Sequence, residues 1–272
     1  MKKRFIIIFL SLIWIVVCAK TIDREGGDNG EYQIIEPPSN LNLDVFYKKY
    51  VNVNGIHIVS SHRVPDSAFY AACRIIDFMT KCLPVEVLKQ MHKVDTRVAI
   101  MARYEGTTDI PEHAYLANDT TVNWDLRARG LGGTLDLPLT TCAEENLLCY
   151  QIDKYHAEDI LIHEFAHTIH EVGILPLNPD FNIQLQEMLD AALGNGKYQN
   201  TYAATNIWEY WAEGVQDWFD VNAESVVPDG KHNFVNTRKE LEDYDPALYQ
   251  VLRDYFSSCD IEECPSCHVK NE

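Results

Sequence analysis

Residues 163 to 170 read HEFAHTIH. On a helix, His163 and His167 stand about 40° apart, one turn above the other. Two imidazoles in that relation can grip one cation from a single face. Glu164, beside the first histidine, can take a proton from a water held by that cation. This is the H-E-x-x-H arrangement of zinc-assisted hydrolysis, with the glutamate as general base. His170 lies on the same face but about 10 Å further along the axis, so it reads as a residue of the rim or as one that supports the ligands from behind. It also stands where the metzincin extension of the motif needs glycine, and Gly173 stands where that extension needs a third histidine. The third ligand must come from elsewhere.

A catalytic zinc takes three protein ligands, and two histidines with one glutamate is a known set. Residues 206 to 220 read NIWEYWAEGVQDWFD, with Ile207, Trp211, Val215 and Trp218 as an apolar stripe and Asn206 or Thr205 as a cap. Glu209 and Glu213 fall four apart on one face of that predicted helix. One can bind the metal while the other accepts the ring N–H of a ligand histidine, since metal-bound imidazoles almost always have such a partner. Spacing alone leaves open which glutamate does which, and an exposed acid pair on an amphipathic helix has the same pattern.

HEFAH followed some forty residues later by EYWAEG resembles the gluzincin metallopeptidases, and among them the catalytic domain of anthrax lethal factor and the Pro-Pro endopeptidases. The resemblance covers about residues 155 to 220. It implies that Glu209 is the zinc ligand and that Glu213 supports a ligand histidine from behind. It also implies that Tyr202, seven residues before Glu209, lies over the zinc and helps stabilise the transition state. The implied fold is α+β and zincin-like: a twisted sheet over an active-site helix, then a mainly helical C-terminal part.

The elements that must hold these residues are partly legible. Ile160, Leu161, Phe165, Ile169 and Val172 predict a helix from about His156 to Val172. Glu158 and Asp159 fall in its first turn, and Gly173 is placed for a left-handed cap. Val51 to Val59 alternates around Asn54-Gly55, a hairpin signal. Residues 66 to 81 read as a helix, RVAIM at 97 to 101 as a buried strand, and residues 246 to 256 as a late helix. Residues 103 to 150 read as long and irregular, which in a compact domain marks function or disorder. Within them, Gly130 to Leu137 reads as an exposed edge strand, with Gly132 letting a substrate backbone approach closely.

The chain opens MKKRFIIIFLSLIWIVVCAK, a basic start, a short apolar core and a small-residue exit. Residues 1–19 therefore read as a signal peptide, residues 20–44 as a flexible arm, 45–258 as one catalytic domain, and 259–272 as a cysteine-rich tail. Removing the signal peptide removes Lys2, Lys3 and Arg4 and takes the net charge from −18 to −21. Such acidity argues against nucleic acid or an anionic membrane as partner. Seven of the eight cysteines remain and read as disulfides in an oxidising compartment. Cys142 and Cys149 bracket a short loop, six residues lying between them, and are expected to pair. Cys73 and Cys82 can pair only if the helix at 66 ends early. C-x-x-C-H at 264 to 268 matches a haem-attachment spacing, but a tail so close to the end reads first as disulfide-tied.

The sequence thus predicts a secreted zinc metalloendopeptidase holding one Zn2+ per chain on His163, His167 and Glu209. Glu164 and Tyr202 act on the substrate, a peptide or protein. No nucleic acid and no lasting membrane association after signal cleavage are expected. The alternative is a catalytically silent secreted binding protein on the same scaffold.

Overall fold

Asn54 and Gly55 both adopt positive φ, 49° and 86°. That backbone suits a two-residue connection between twisted strands, and it joins β1 (Lys49–Val53) to an antiparallel β2 (Ile56–Ser60). The computed structural model describes residues 32–257, 259 and 264–270. The expected signal peptide and residues 20–31 of the expected arm lie outside them. β3 (Arg97–Met101) runs parallel to β2, and β4 (Leu139–Ala143) runs parallel to β3, giving the order β1-β2-β3-β4.

Both faces of this sheet are covered. Ile58, Val98, Ile100 and Cys142 point into the larger core, shared with the helices. Val59, Ala99, Met101, Leu139 and Ala143 point the other way and meet Tyr47, Tyr50 and Ile110. Double coverage explains why β3 reads as an unbroken apolar run rather than an alternating one. β4 gave no such signal because its sequence, LTTCA, carries two threonines, both fully buried.

The helices follow in chain order. α1 (Asp66–Cys82) packs on β1 and β2, and Pro84 starts α2 (Val85–His92). α3 (Trp124–Arg127) and α4 (Glu144–Leu147) are single turns. α5 (Ile160–Thr168) carries the histidine motif, and α6 (Phe181–Gly194), α7 (Ile207–Trp218), α8 (Arg238–Tyr244) and α9 (Pro246–Phe256) complete the helical C-terminal half. The fold is α+β. No helix among the described residues is long and apolar enough to cross a membrane.

The expected start of the motif helix at His156 is too early. Asp159 caps α5 instead, its carboxylate accepting the Ile162 N–H at 2.9 Å. The far end also differs. Residues 169–174 widen into a π-helix, and Gly173 lies inside it without positive φ. A Cβ there would come within 2.7 Å of Val87, so the glycine permits close packing on α2 rather than a left-handed cap.

The cysteine pairing is likewise corrected. Cys82 bonds Cys259 and Cys149 bonds Cys267, with Cα separations of 5.1 and 6.4 Å. The expected Cys142–Cys149 bond does not form, because TCAEENLLC is not a loop. Cys142 is locked in β4 with its side chain in the core, and α4 then carries Cys149 away to the surface. α1 continues through Cys82, so Cys73 stays a buried thiol, and Cys264 is also free. With Cys267 in a disulfide, the C-x-x-C-H spacing has no haem to attach. Two bonds closing segments this long fit an oxidising environment.

Candidate active site

α5 and α7 are fixed against each other before any metal is considered. The Trp211 indole N–H donates to the Ala166 carbonyl at 2.9 Å, and both groups are fully buried. Asn206 caps α7, its side chain accepting the N–H groups of Trp208 and Glu209 at 2.9 and 3.0 Å. The cap holds the first turn of α7, and Glu209 with it, opposite the polar face of α5.

Across that gap three donor atoms converge. His163 Nε2 lies 3.2 Å from His167 Nε2 and 3.1 Å from a Glu209 carboxylate oxygen, which is 3.4 Å from His167 Nε2. Ligands held at about 2.0 to 2.1 Å around a tetrahedral zinc stand about 3.3 Å from one another. The triangle therefore has the dimensions, and the two-nitrogen, one-oxygen chemistry, that zinc takes in a hydrolytic site. Two further groups of possible donors come within 4.8 Å among the described residues. One is the Cys149–Cys267 disulfide with His268. The other is Glu158, Glu213 and His232, where Glu158 already meets His232 at 3.4 Å and Glu213 accepts from Asn222 at 3.2 Å.

The charges of the triangle are balanced by protons. Burial opposes charge on His163, but the hydrogen bond to Glu209, with Glu164 and Glu213 nearby, overrides it and lifts the imidazole to about 10. Burial likewise favours a neutral Glu209, and its bonds to both histidines overcome this and hold it well below the usual carboxylate range. Glu164 behaves in the opposite way. Burial pushes its pKa up, and the two histidines offset only part of the rise.

Behind the triangle, the His163 Nδ1–H donates to the Gln216 side-chain oxygen at 2.7 Å. The Gln216 amide in turn donates to the Asp159 carbonyl at 3.1 Å. Glu213, the residue expected to hold this imidazole, is 3.6 Å from Nδ1 and so is the more distant acceptor. Gln216 went unread in the sequence although its signal was present. It lies seven residues after Glu209, on the same helical face as Glu209 and Glu213.

The remaining expected residues fall as follows. Tyr202 begins a short 3-10 turn before α7, and its ring lies nearly parallel to that of His163 with centroids 6.5 Å apart. Burial, then the Glu209 charge, raises its pKa, while Arg127 opposes the rise. Gly132 lies against α5, where a Cβ would come within 2.4 Å of His167 Cβ. A Cβ on Gly130 would likewise come within 2.8 Å of Glu164 Cγ. The expected edge strand over Gly130 to Leu137 is reduced to one residue. Leu131 pairs antiparallel with Thr141 beyond β4, and the chain then turns back through a Thr134–Leu137 backbone pair. His170 is in the core rather than at the rim, fully buried beside Phe181 and bonded to Asn182 at 2.6 Å.

No protein-family model matches the chain, and no curated protein matches it. Among solved structures the chain is similar to the Pro-Pro endopeptidase PPEP-2 from Paenibacillus alvei, with 15% identity and a TM-score of 0.49 over 72% of this chain and 96% of that one. At that identity and score the likeness decides nothing about chemistry, which rests on the side chains themselves.

Proposed function

We propose that the chain is a zinc-dependent peptidase of gluzincin type. The observation that carries this reading is the triangle of His163 Nε2, His167 Nε2 and the Glu209 carboxylate, with sides of 3.1 to 3.4 Å. Zinc bound there would supply Lewis acidity and bring the pKa of a water down to about 7. Glu164 follows His163 directly in α5 and lies within electrostatic reach of both histidines and Glu209. Its carboxylate takes a proton from the attacking water and returns it to the leaving amine. Tyr202, its hydroxyl kept protonated by burial and by Glu209, donates to the oxygen that gains charge as the peptide carbon becomes tetrahedral. Leu131 offers a sheet edge along which an extended peptide can lie, and Gly130 and Gly132 bring that edge onto α5.

The same reading makes the protein secreted, through residues 1–19, with one catalytic domain over 45–258. The test is zinc content by native mass spectrometry together with peptide turnover. One zinc per chain, lost in Glu209→Ala, with turnover abolished in a zinc-replete Glu164→Gln, is the expected outcome. A folded protein that takes up no zinc, or a Glu164→Gln variant as active as the parent, overturns it.

A further inference from the structure

Acidic residues outnumber basic ones 41 to 23 in this chain, yet the Tyr202 side of the site is framed by cations. Arg127 ends α3, two residues after an exposed acid and three before Gly130, and its charge acts on the Tyr202 hydroxyl, opposing the rise in its pKa. Lys154 donates to the Leu126 carbonyl at 2.8 Å and lies 5.1 Å from the centre of the Tyr155 ring. Lys231 lies 6.0 Å from the same ring, and its carbonyl accepts the Tyr202 N–H at 2.7 Å. Tyr155 is therefore the meeting point, and it lies within electrostatic reach of Glu164, Arg127 and Tyr202.

Among the described residues none of the three cations makes an ion pair, because the acids around them are already engaged. Glu145 is held by Arg129 at 2.6 Å, and Glu158 by His232 at 3.4 Å. Asp125 accepts from Thr108, and Asp229 caps the N–H groups of Lys231 and His232. Burial first, then repulsion from Arg129, Arg127 and Lys231, lowers the Lys154 pKa. Glu145 and Glu158 attract Lys154 and Lys231 only from beyond contact, and like charges gathered with no acid in direct contact, beside the group that would contact substrate, have the electrostatics of an anion subsite.

We propose that Arg127, Lys154 and Lys231 form a subsite for a substrate carboxylate, so that the enzyme selects peptides carrying an acidic group next to the scissile bond. This inference rests on the peptidase reading. The carboxylate can belong to an Asp or Glu side chain or to the C terminus of the peptide, and both present the same planar, bidentate acceptor to Arg127.

The test uses the full-length, zinc-loaded protein and two peptide libraries, one ending in a free acid and one in an amide, each with Glu and Gln mixed equally at every position. Peptides retained by immobilised Glu164→Gln protein are sequenced, and so are the products cut by the parent. Enrichment of Glu over Gln by about tenfold in the retained fraction is expected, the order reached when two or three exposed charge pairs each contribute a few-fold. It should fall towards parity in Glu164→Gln carrying Lys154→Gln and Lys231→Gln, and on raising the salt to about 0.5 M. Retention favouring the free-acid library at every composition assigns the anion to the chain terminus. Equal retention of Glu and Gln with equal retention of both libraries overturns the subsite, as does the absence of any retained peptide. Failure of the parent to cut either library overturns the peptidase reading instead, and the retention result still decides the subsite.

Discussion

The acceptor behind His163 gives the sharpest test of the geometry. Gln216 is fully buried and makes two hydrogen bonds, one to His163 Nδ1 and one to the Asp159 carbonyl. Gln216→Leu keeps nearly the same volume and removes both. The Asp159 carbonyl keeps a second partner, the His163 backbone N–H at 3.2 Å. The His163 ring N–H does not, since Glu213 is 3.6 Å away. One buried donor left unsatisfied costs about 1 to 3 kcal/mol of folding stability. The metal should suffer separately, because losing the partner of a ligand imidazole typically weakens binding about 10 to 100-fold, or about 1.4 to 2.8 kcal/mol. Glu213→Gln leaves the 2.7 Å bond intact and should cost less than Gln216→Leu. The assay is zinc affinity by competition with a chromophoric chelator at fixed pH, with circular dichroism to confirm that each variant is folded. A Glu213→Gln protein that loses more affinity than Gln216→Leu would refute the assignment and return the supporting role to Glu213.

Three other outcomes follow from the same coordinates. Gly132→Ala places a Cβ 2.4 Å from His167 Cβ and 3.2 Å from the Glu164 carbonyl, so the edge segment must lift from α5. Thermal unfolding should drop by several degrees and peptide affinity should weaken, and an unchanged Tm and Kd would contradict the close approach. In the metal-free protein His163 has its pKa raised from 6.5 to about 10. The stabilisation it supplies is complete below about pH 6.5 and is lost as pH rises towards 10. Tm with a chelator present should therefore decline across that window, whereas zinc-loaded protein should not show the decline, and parallel profiles would argue against the pairing. Non-reducing peptide mapping should recover Cys82 with Cys259 and Cys149 with Cys267, with Cys142 alkylated only after unfolding. A Cys142–Cys149 peptide would contradict the placement of Cys142 in β4.

What the sequence made legible was whatever repeats with a local period. The hairpin at Asn54-Gly55, β3, α1, α7 and α9 are readable to within a residue or two, because their signals sit in the residues that form them. α5 is readable in position but not in extent. Its start depends on whether Asp159 caps the helix, and its end on how tightly Gly173 must pack against α2, which is a tertiary fact. β4 escapes because buried threonines break the apolar pattern, and mistaking β4 and α4 for a loop produced the wrong disulfide. His170 was misplaced for a related reason. Helical spacing says which face a residue shares, but not whether another helix covers that face, and here α6 supplies Phe181 and Asn182 to bury it.

The site follows the same division. His163, Glu164 and His167 are set by a spacing of four along one helix, and any α5 would present them together. Glu209 joins them only because Asn206 fixes the first turn of α7 and the Trp211–Ala166 bond fixes how α7 lies on α5. Those two links involve groups that a motif does not contain, yet they decide whether a carboxylate falls 3.1 Å from an imidazole or out of reach. Arg127 is invisible to pattern for the same reason, and for Gln216 the pattern gives the helical face but not the role. One comes from a four-residue helix some 36 positions before His163, and the other from behind the metal, where only packing shows which acceptor the ring meets first. The motif thus specifies the ions that chemistry needs, while the contacts between α5 and α7 specify the distances. A substitution at Trp211 should therefore cost the site its third ligand without touching any group that binds metal.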